Sequence, residues 1–261
     1  MNKFIRFNKQ VFSLNNLIAK GSYGNIYKSK SLTNYNNCII KETSCNFSIN
    51  INEIENMKKL KNLEKVVSLK DYTISNDNFY ILMKYYEKGD FFSYLEKFIK
   101  KDWDYKESII DDIIYQLLAP IEELHNNNIA HLDIKPENYL IQHIENNSPK
   151  LILTDLGSLH KLTNRNLIKD INFKVGSKLY NSPEVNNNKY HLNSDIWNVG
   201  IITYMLLFNK KPSQTDINKI LYSDNVIISK KWDTFFKNTL NTNAYKRYSV
   251  LDTMRFLTLY S

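Results

Sequence analysis

The sequence is poor in glycine, proline and cysteine. With only six glycines and five prolines among 261 residues, it is neither collagen-like nor a proline-rich disordered chain. The two cysteines, Cys38 and Cys45, predict reduced thiols in an intracellular protein, cytoplasmic or nuclear, because the sequence shows no secretory signal. Asparagine is frequent instead, in short runs such as 126–128 that we interpret as polar loops.

Long apolar runs and long basic runs are also missing. No stretch of about 18 apolar residues occurs, and residues 1–10 lack a signal-peptide core, so we expect no membrane association. The formal net charge of +8 could attract nucleic acid. Because no run of five basic residues appears, we assign the charge to solvated lysines and expect no nucleic-acid partner.

The first third of the chain has the pattern of β-strands with one helix. Its short apolar runs, separated by turn residues, predict strands at 14–19, 25–30, 38–41 and 79–85. Between them, Ile49, Glu53, Met57 and Leu60 fall on one helical stripe. A carboxylate on an apolar stripe needs a cation, so Glu53 predicts a lysine or arginine partner.

From Phe91 onward the pattern is mainly helical. The apolar run 196–208 predicts a buried helix that is too short to cross a bilayer. Further features are a helical stripe at 109–124, strands at 139–144 and 151–154 joined by a turn at 145–149, a long loop at 158–184, and amphipathic helices within 217–259.

The strongest chemical signal is the segment His131-Leu132-Asp133-Ile134-Lys135-Pro136-Glu137-Asn138. It combines a carboxylate that can orient a hydroxyl, an amine that can neutralise a phosphate and an amide that can bind a cation. Asp155-Leu156-Gly157 follows the second strand of the predicted hairpin, which would bring Asp155 to the same end as Asn138. Two converging oxygen ligands predict a site for a hard cation such as Mg²⁺.

Two weaker signals precede that segment. Gly21-Ser22-Tyr23-Gly24 lies between two predicted strands, where glycines would let the backbone approach a phosphate. Lys41 ends a predicted strand. Taken alone, the glycines would also suit an ordinary hairpin turn, and Lys41 is more typical of an ordinary strand end.

Taken together and in order, these residues resemble a eukaryotic-type Ser/Thr protein kinase over nearly the whole chain. The matching set also includes Ser182-Pro183-Glu184, Asp195-Ile196-Trp197 and Arg247. The resemblance implies an α+β, two-lobed kinase fold in a single catalytic domain, residues 1–261. A small antiparallel β-lobe with one helix would occupy about 1–85, and a larger helical lobe about 86–261, with ATP between them.

The resemblance implies roles for individual residues. Lys41 would hold the ATP phosphates and pair with Glu53. Asp133 would orient the substrate hydroxyl, and Lys135 would contact the γ-phosphate, as in Ser/Thr-directed members of the family. Asn138 and Asp155 would hold Mg²⁺. The cofactors would be ATP and Mg²⁺, and the partners protein substrates with serine or threonine, acted on by a monomer.

The nucleotide contacts implied by the resemblance cover a longer set of residues. They include residues of the glycine-rich loop, the apolar residues around adenine, the gatekeeper residue behind adenine, and the hinge that follows it. These residues are Ala19, Gly21, Gly24, Ile26, Ile39, Lys41, Met83, Lys84, Tyr85, Tyr86, Asp90 and Leu140. The resemblance also implies that Ser177 bonds to Asp133 and Lys135, that Glu184 pairs with Arg247, and that Asp195 braces the backbone near His131.

The sequence departs from the kinase pattern at several positions. Ala19 replaces the first glycine of the loop, Ile39 replaces an alanine above adenine, and Leu132 replaces the arginine that binds an activation-loop phosphate. We therefore expect activity without phosphorylation at Thr163. These departures leave a pseudokinase scaffold as the alternative, and the Leu132 and Leu156 variants resemble faintly the Wee kinases.

Overall fold

The computed structural model describes residues 3–21, 24–31, 37–45, 48–101, 103–164, 169–171, 176–222 and 229–260. The chain divides into two compact units. The first unit comprises Met1–Glu87 with Thr154–Gly157, and the second comprises Lys88–Leu153 with Ser158–Ser261. The sequence places a boundary after Tyr85, and the interpretation of residues 1–261 as one catalytic domain stays a prediction.

The first unit is built mainly from strands. Its elements are β1 (Phe4–Phe7), β2 (Gln10–Ser13), β3 (Asn16–Gly21), β4 (Gly24–Lys30), β5 (Asn37–Ser44), α1 (Ser48–Lys59), β6 (Leu69–Ser75) and β7 (Asn78–Lys84). Five strands form an antiparallel sheet in the order β3-β4-β5-β7-β6, and β1 pairs with β2 as a separate hairpin.

The register of the sheet places several predicted site residues on one face. Ile26 lies opposite both Ala19 and Lys41, and Ile39 lies opposite Met83. Residues directly opposite each other share a face, and alternate residues along β5 share that face too. Ala19, Ile26, Ile39, Lys41 and Met83 therefore lie on the same side of the sheet.

The other side of the sheet carries an apolar core that includes the β1–β2 hairpin. This hairpin was not predicted from the sequence, although Ile5, Phe7, Phe12 and Leu14 alternate as strand residues should. The buried cluster contains Ile5, Phe7, Phe12, Leu14, Cys38, Ile40, Tyr80 and Leu82, with Tyr27 packed against it.

A buried carboxylate lies at the end of this core. Glu42 accepts hydrogen bonds from the Tyr80 hydroxyl at 2.7 Å, the Tyr27 hydroxyl at 2.9 Å and the Asn25 amide at 3.1 Å, and it pairs with Lys3. Burial alone would raise the pKa of Glu42, but the hydrogen bonds outweigh it and lower the pKa to about 2.

The second unit is mainly helical. Its helices are α2 (Phe91–Phe98), α3 (Trp103–Asn126), α4 (Pro183–Asn186), α5 (Ser194–Phe208), α6 (Gln214–Tyr222), α7 (Lys230–Thr239) and α8 (Val250–Tyr260). Its strands are β8 (Ile129–Ala130), β9 (Tyr139–Glu145), β10 (Ser148–Leu153), β11 (His160–Lys161), β12 (Lys169–Asp170) and β13 (Lys189–Tyr190). The predicted α+β organisation, with an antiparallel sheet followed by a helical region, is confirmed.

The buried helix predicted at 196–208 is present as α5. Every residue from Ser194 to Leu207 is buried, because α5 packs against both α3 and α7. Arg247 and Glu184 form the predicted ion pair in the same unit, with Arg247 Nη1 2.6 Å from Glu184 Oε1 and Nη2 3.0 Å from Oε2. Removing one partner of such a pair typically costs about 3–5 kcal/mol.

Two sequence-based boundaries were wrong. The turn predicted at 145–149 is a two-residue turn at Asn146 and Asn147, because both residues have the positive φ that a tight hairpin needs, and Pro149 lies within β10. The segment 158–184 is not one continuous loop. His160 pairs with Ala130, and Asp170 pairs with Lys189, in strands too short to show periodicity.

The abundance of asparagine has a structural role that the sequence interpretation missed. Asparagine tolerates left-handed backbone conformations better than most residues, and this chain has few glycines. Among the described residues, the asparagines with positive φ are Asn8, Asn76, Asn128, Asn146, Asn147, Asn188 and Asn209. The runs at 126–128 and 186–188 each end a helix in this way.

No helix within the described ranges is long and apolar enough to cross a membrane.

The low pKa of Glu42 predicts how acid affects stability. Because the folded pKa lies below the ordinary value of 4.5, the Glu42 carboxylate stabilises the fold above that pH, and this contribution is lost as pH falls towards 2. We expect Glu42→Gln to lower the free energy of unfolding at pH 7 and to make it less sensitive to pH below 4.5. Urea unfolding at a series of pH values measures both effects.

The control for this experiment is Glu55→Gln, which removes an exposed carboxylate from α1. If wild type and Glu42→Gln lost stability with the same slope below pH 4.5, Glu42 would not have a lowered pKa.

Candidate active site

Lys41 and Glu53 form a buried ion pair in the first unit. Lys41 Nζ lies 2.8 Å from Glu53 Oε1 and 2.7 Å from Oε2. Glu53 is 3% exposed, so the carboxylate on the apolar stripe of α1 has the cation that its burial requires. Burial lowers the pKa of Lys41, but the Glu53 and Asp155 carboxylates outweigh this effect and raise it. Lys41 is therefore a fixed positive charge.

Asp155 lies beside the same ammonium group. Its Oδ1 is 3.6 Å from Lys41 Nζ, and its backbone has a left-handed φ of 60°. The next residue is held by α1, because Asn56 Nδ2 donates to the Leu156 carbonyl oxygen at 2.8 Å. Helix α1 thus positions both Glu53 and the segment that carries Asp155.

The glycine pair ends the β3–β4 hairpin. Gly21 lies opposite Gly24, and Ser22 and Tyr23 fall outside the described residues. Gly24 has a φ of +145°, and a Cβ there would lie 2.0 Å from the Glu42 carbonyl oxygen. Only glycine lets β4 approach β5 this closely.

The residues predicted to surround adenine in the first unit lie around one strand end. Ile26 and Ile39 are half-buried and Met83 is buried, on the face that also carries Lys41. Strand β7 ends at Lys84, and Tyr85 and Tyr86 follow it. The two tyrosine rings are packed under lysine ammonium groups, with Lys28 4.2 Å from the Tyr85 centroid and Lys84 5.2 Å from the Tyr86 centroid.

The second unit gathers Asp133, Lys135 and Asn138 into one cluster. Lys135 Nζ lies 2.7 Å from Asp133 Oδ2, and Asn138 Nδ2 donates to the same oxygen at 3.0 Å and to the Asp133 carbonyl at 2.8 Å. Asp133 and Asn138 are buried, and Lys135 is half-buried. The Asp133 carboxylate is therefore held in one orientation.

Ser177 completes this cluster, as the sequence predicts. Its hydroxyl donates to Asp133 Oδ1 at 3.0 Å and accepts from Lys135 Nζ at 3.0 Å. Gly176 has a φ of +72°, and a Cβ there would lie 2.5 Å from the Leu132 carbonyl oxygen. A glycine before Ser177 lets this segment approach the backbone beside Asp133.

Asp195 holds the backbone on the other side of Asp133. Its Oδ2 accepts from the His131 amide at 2.8 Å and lies 2.9 Å from His125 Nε2, and its Oδ1 accepts from the Leu132 amide at 2.8 Å. The bracing predicted for Asp195 is thus present. Leu132 has a φ of 65°, a conformation that is costly for a branched side chain and persists only when its surroundings hold it.

The side chain of Leu132 lies in an apolar cluster. It is 1% exposed and packs in a buried group that also contains Ala130, Leu162, Ile171, Val185, Tyr190 and Leu192. Residues 162 and 171 belong to the segment that the sequence predicted as a long loop. Apolar packing therefore ties that segment to Leu132, where the kinase pattern has an arginine.

Asp90 and Leu140, two of the predicted nucleotide contacts, are neighbours in the second unit. They form an isolated antiparallel bridge, and Leu140 is half-buried in β9. Asp90 also caps α2, since its Oδ1 accepts from the Ser93 amide at 2.8 Å. Capping is a structural role that the sequence interpretation did not assign to Asp90.

Comparison with known families accounts for this arrangement. The family described as "Protein kinase domain" matches residues 12–256. The chain belongs to the protein kinase family. This match includes both the Lys41–Glu53 pair and the Asp133 cluster.

Individual relatives of this kinase chain are serine/threonine-protein kinases or contain a similar region. Serine/threonine-protein kinase ULK3 of Mus musculus is 29% identical over 231 residues, which cover 83% of this chain and 46% of that protein. Calcium-dependent protein kinase 5 of Plasmodium falciparum is 29% identical over 226 residues, covering 82% and 38%. The titin homolog of Caenorhabditis elegans is 27% identical over 255 residues, covering 91% and 1%.

This kinase chain spans about half the length of the curated ULK3 relatives that it matches. The predicted protein kinase family is confirmed, and relatives named as serine/threonine-protein kinases agree with the predicted class of enzyme. The roles of the individual site residues stay predictions.

Two functional features of this kinase were missed by sequence reasoning. Asn56 holds the segment after Asp155, but a single asparagine within a helix carries no signal of its own. Glu42 was detectable, because it continues the alternation of Cys38 and Ile40 on the buried face of β5. The argument that singled out Glu53 also applies to Glu42.

Proposed function

We propose that this chain transfers the γ-phosphoryl group of Mg-ATP to serine or threonine hydroxyls of proteins. The observation that carries the proposal is the complete set of hydrogen bonds on Asp133, from Lys135, Asn138 and Ser177. Such a set orients a carboxylate before any substrate arrives, and preorganised polar groups are the main source of rate in phosphoryl transfer.

Lys41 would bind the α- and β-phosphates of ATP. Its pairing with Glu53 and Asp155 fixes its position and keeps it charged. Ile26, Ile39 and Met83 on the same face of the sheet would contact adenine, and the backbone of residues 84–86 would hydrogen-bond to it. Ala19 would stiffen the glycine-rich loop and Ile39 would add bulk against adenine, and neither change removes a charged group.

Asp133 would accept a hydrogen bond from the substrate hydroxyl and take its proton as the phosphoryl group is transferred. Lys135 would neutralise charge on the γ-phosphate. Ser177, bonded to both, would help to hold the directly paired Asp133 and Lys135 side chains in one orientation. This lysine and serine support serine or threonine as the acceptor residue.

Asn138 and Asp155 are the residues that would hold Mg²⁺. Both offer oxygen ligands, which suit a hard cation. The two described side-chain hydrogen bonds of Asn138 use its amide nitrogen, so the carbonyl oxygen is the group oriented for a cation. The cation would supply charge neutralisation at the phosphates.

Other expectations stay predictions. They are that the protein is a monomer, that it is intracellular, that it binds no nucleic acid or membrane, and that it shares features with the Wee kinases.

The direct test is transfer of labelled γ-phosphate from Mg-ATP to a generic serine/threonine substrate. Asp133→Asn removes the proton acceptor and Lys41→Met removes the phosphate-binding charge, so we expect each to lower the rate by about 100-fold or more. The control substitutions Asp112→Asn and Lys58→Met each remove a charge of the same sign from an exposed position outside the proposed site. They should keep wild-type rates.

A wild-type chain that binds ATP but transfers no phosphate to any of a broad panel of proteins would be a pseudokinase. Equal activity of Asp133→Asn and wild type would contradict the role of Asp133.

The packing of Leu132 leads to a second prediction, on regulation. Because the segment around Leu162 is held by apolar contacts with Leu132, no phosphate is needed to order it. We expect Thr163→Ala to transfer phosphate within about twofold of wild type, since Thr163 is exposed and outside the cluster. Wild-type protein treated with phosphatase should likewise transfer phosphate within about twofold of the untreated protein. An inert dephosphorylated protein that regains activity on Thr163 phosphorylation would contradict this account.

A further inference from the structure

A cavity of about 360 Å³ lies in the second unit, beside α2 and β9 and outside the proposed active site. We call it the α2 groove. It is lined by Lys88, Tyr94, Lys97, Phe98, Lys101, Ile141 and Ile144, together with Ser93. None of these residues has a role in the proposed binding of ATP or in phosphoryl transfer.

The floor of the α2 groove is mainly apolar. The rings of Tyr94 and Phe98 stack with centroids 6.0 Å apart, and the Tyr94 hydroxyl donates to the Asn147 carbonyl oxygen at 3.0 Å. This bond ties α2 to the turn after β9. Phe98 is buried, whereas Ile144 in β9 is 48% exposed. The groove thus offers apolar surface to a partner.

The rim of the α2 groove is basic. Lys97 lies in the last turn of α2, Lys101 lies three residues after the end of that helix, and Lys88 comes from the segment before it. Among the described residues that line the groove, none is acidic. Lys97 also suits the carboxyl end of α2, but that effect does not explain Lys88, which lies before the other end of the helix. All three lysines line the groove.

We propose that the α2 groove binds an acidic segment of a protein partner that inserts an apolar side chain between Tyr94, Phe98 and Ile144. The volume is near the lower limit of cavities that hold small ligands, so it suits one or two side chains. The basic rim complements carboxylates on either side of that anchor. The concave apolar floor favours a protruding side chain over a flat anionic surface such as a membrane.

The test is binding without nucleotide, so its result does not depend on whether the chain transfers phosphate. The probe is a fluorescein-labelled peptide, Gly-Glu-Glu-Leu-Phe-Glu-Glu-Gly, measured by fluorescence anisotropy with the full chain. A second peptide has serine in place of leucine and phenylalanine. We expect the first peptide to bind about tenfold more tightly than the second.

Variants assign the binding to the groove. Lys97→Glu with Lys101→Glu should raise the Kd about tenfold, and so should Ile144→Ser, which removes an exposed apolar group and is expected to fold normally. The matched control is Lys219→Glu with Lys246→Glu, two exposed lysines outside the groove. This control should stay within about twofold of wild type.

Several results would overturn the proposal. They are no binding of the first peptide to wild type, equal binding of the two peptides, or an equal loss in the control variant, since the last two indicate attraction by net charge alone. Competition by a single-stranded oligonucleotide that depends on Lys97 and Lys101 but not on Ile144 would indicate a nucleic-acid surface instead. If the double variant fails to fold, Ile144→Ser and the peptide pair decide.

Discussion

The arrangement of the proposed catalytic residues depends on the hydrogen bonds that the buried Asp195 carboxylate accepts. It is fully buried and accepts both the His131 and the Leu132 amides. An ionised group without such donors would be very costly to bury, and these two amides would be costly to leave unpaired. The carboxylate and the two amides therefore satisfy each other's need for a hydrogen-bond partner. The bonds hold Leu132 in a left-handed conformation directly before Asp133.

Leu132 links this backbone to the rest of the second unit through its side chain. A residue with a positive φ is usually small or polar, but here a leucine fills an apolar cluster with Leu162 and Ile171. The strain at Leu132 is thus held from two sides, by hydrogen bonds on its amide and by packing on its side chain. Where the kinase pattern has an arginine, this chain has a leucine with apolar contacts.

The first unit shows a comparable arrangement of charge on β5. Adjacent residues Lys41 and Glu42 point to opposite faces of the strand, and each pairs with a partner of opposite charge. Lys41 pairs with Glu53 and is proposed to bind phosphate, whereas Glu42 ties the β1–β2 hairpin to the sheet through Lys3. Strand β5 therefore carries both the proposed nucleotide contact at Lys41 and, at Glu42, the ion pair that connects the hairpin to the sheet.

Much of this fold follows from the sequence because long periodic segments and charges on apolar stripes are strong signals. The stripe with Glu53 predicted α1 and its ion pair, and the run 196–208 predicted α5. Short elements were lost, since the strands at 160–161 and 169–170 are too brief to show a period. The Leu132 cluster was invisible because its members come from distant segments. The roles of Lys41, Asp133 and Asn138 rest on the order of the motifs along the chain. That order predicts the chemical role of a residue but not its distances to other side chains.

The measurement that tests the central claim most directly is amide hydrogen exchange over residues 129–135 in wild type and Asp195→Asn. The asparagine replaces one carboxylate oxygen with an amide group, which cannot accept a backbone N–H. If Asp195 holds this backbone, exchange at His131 or Leu132 should become about tenfold faster or more, while α3 and α5 stay protected. Unchanged exchange at both amides would show that other contacts fix this segment, and would contradict the account.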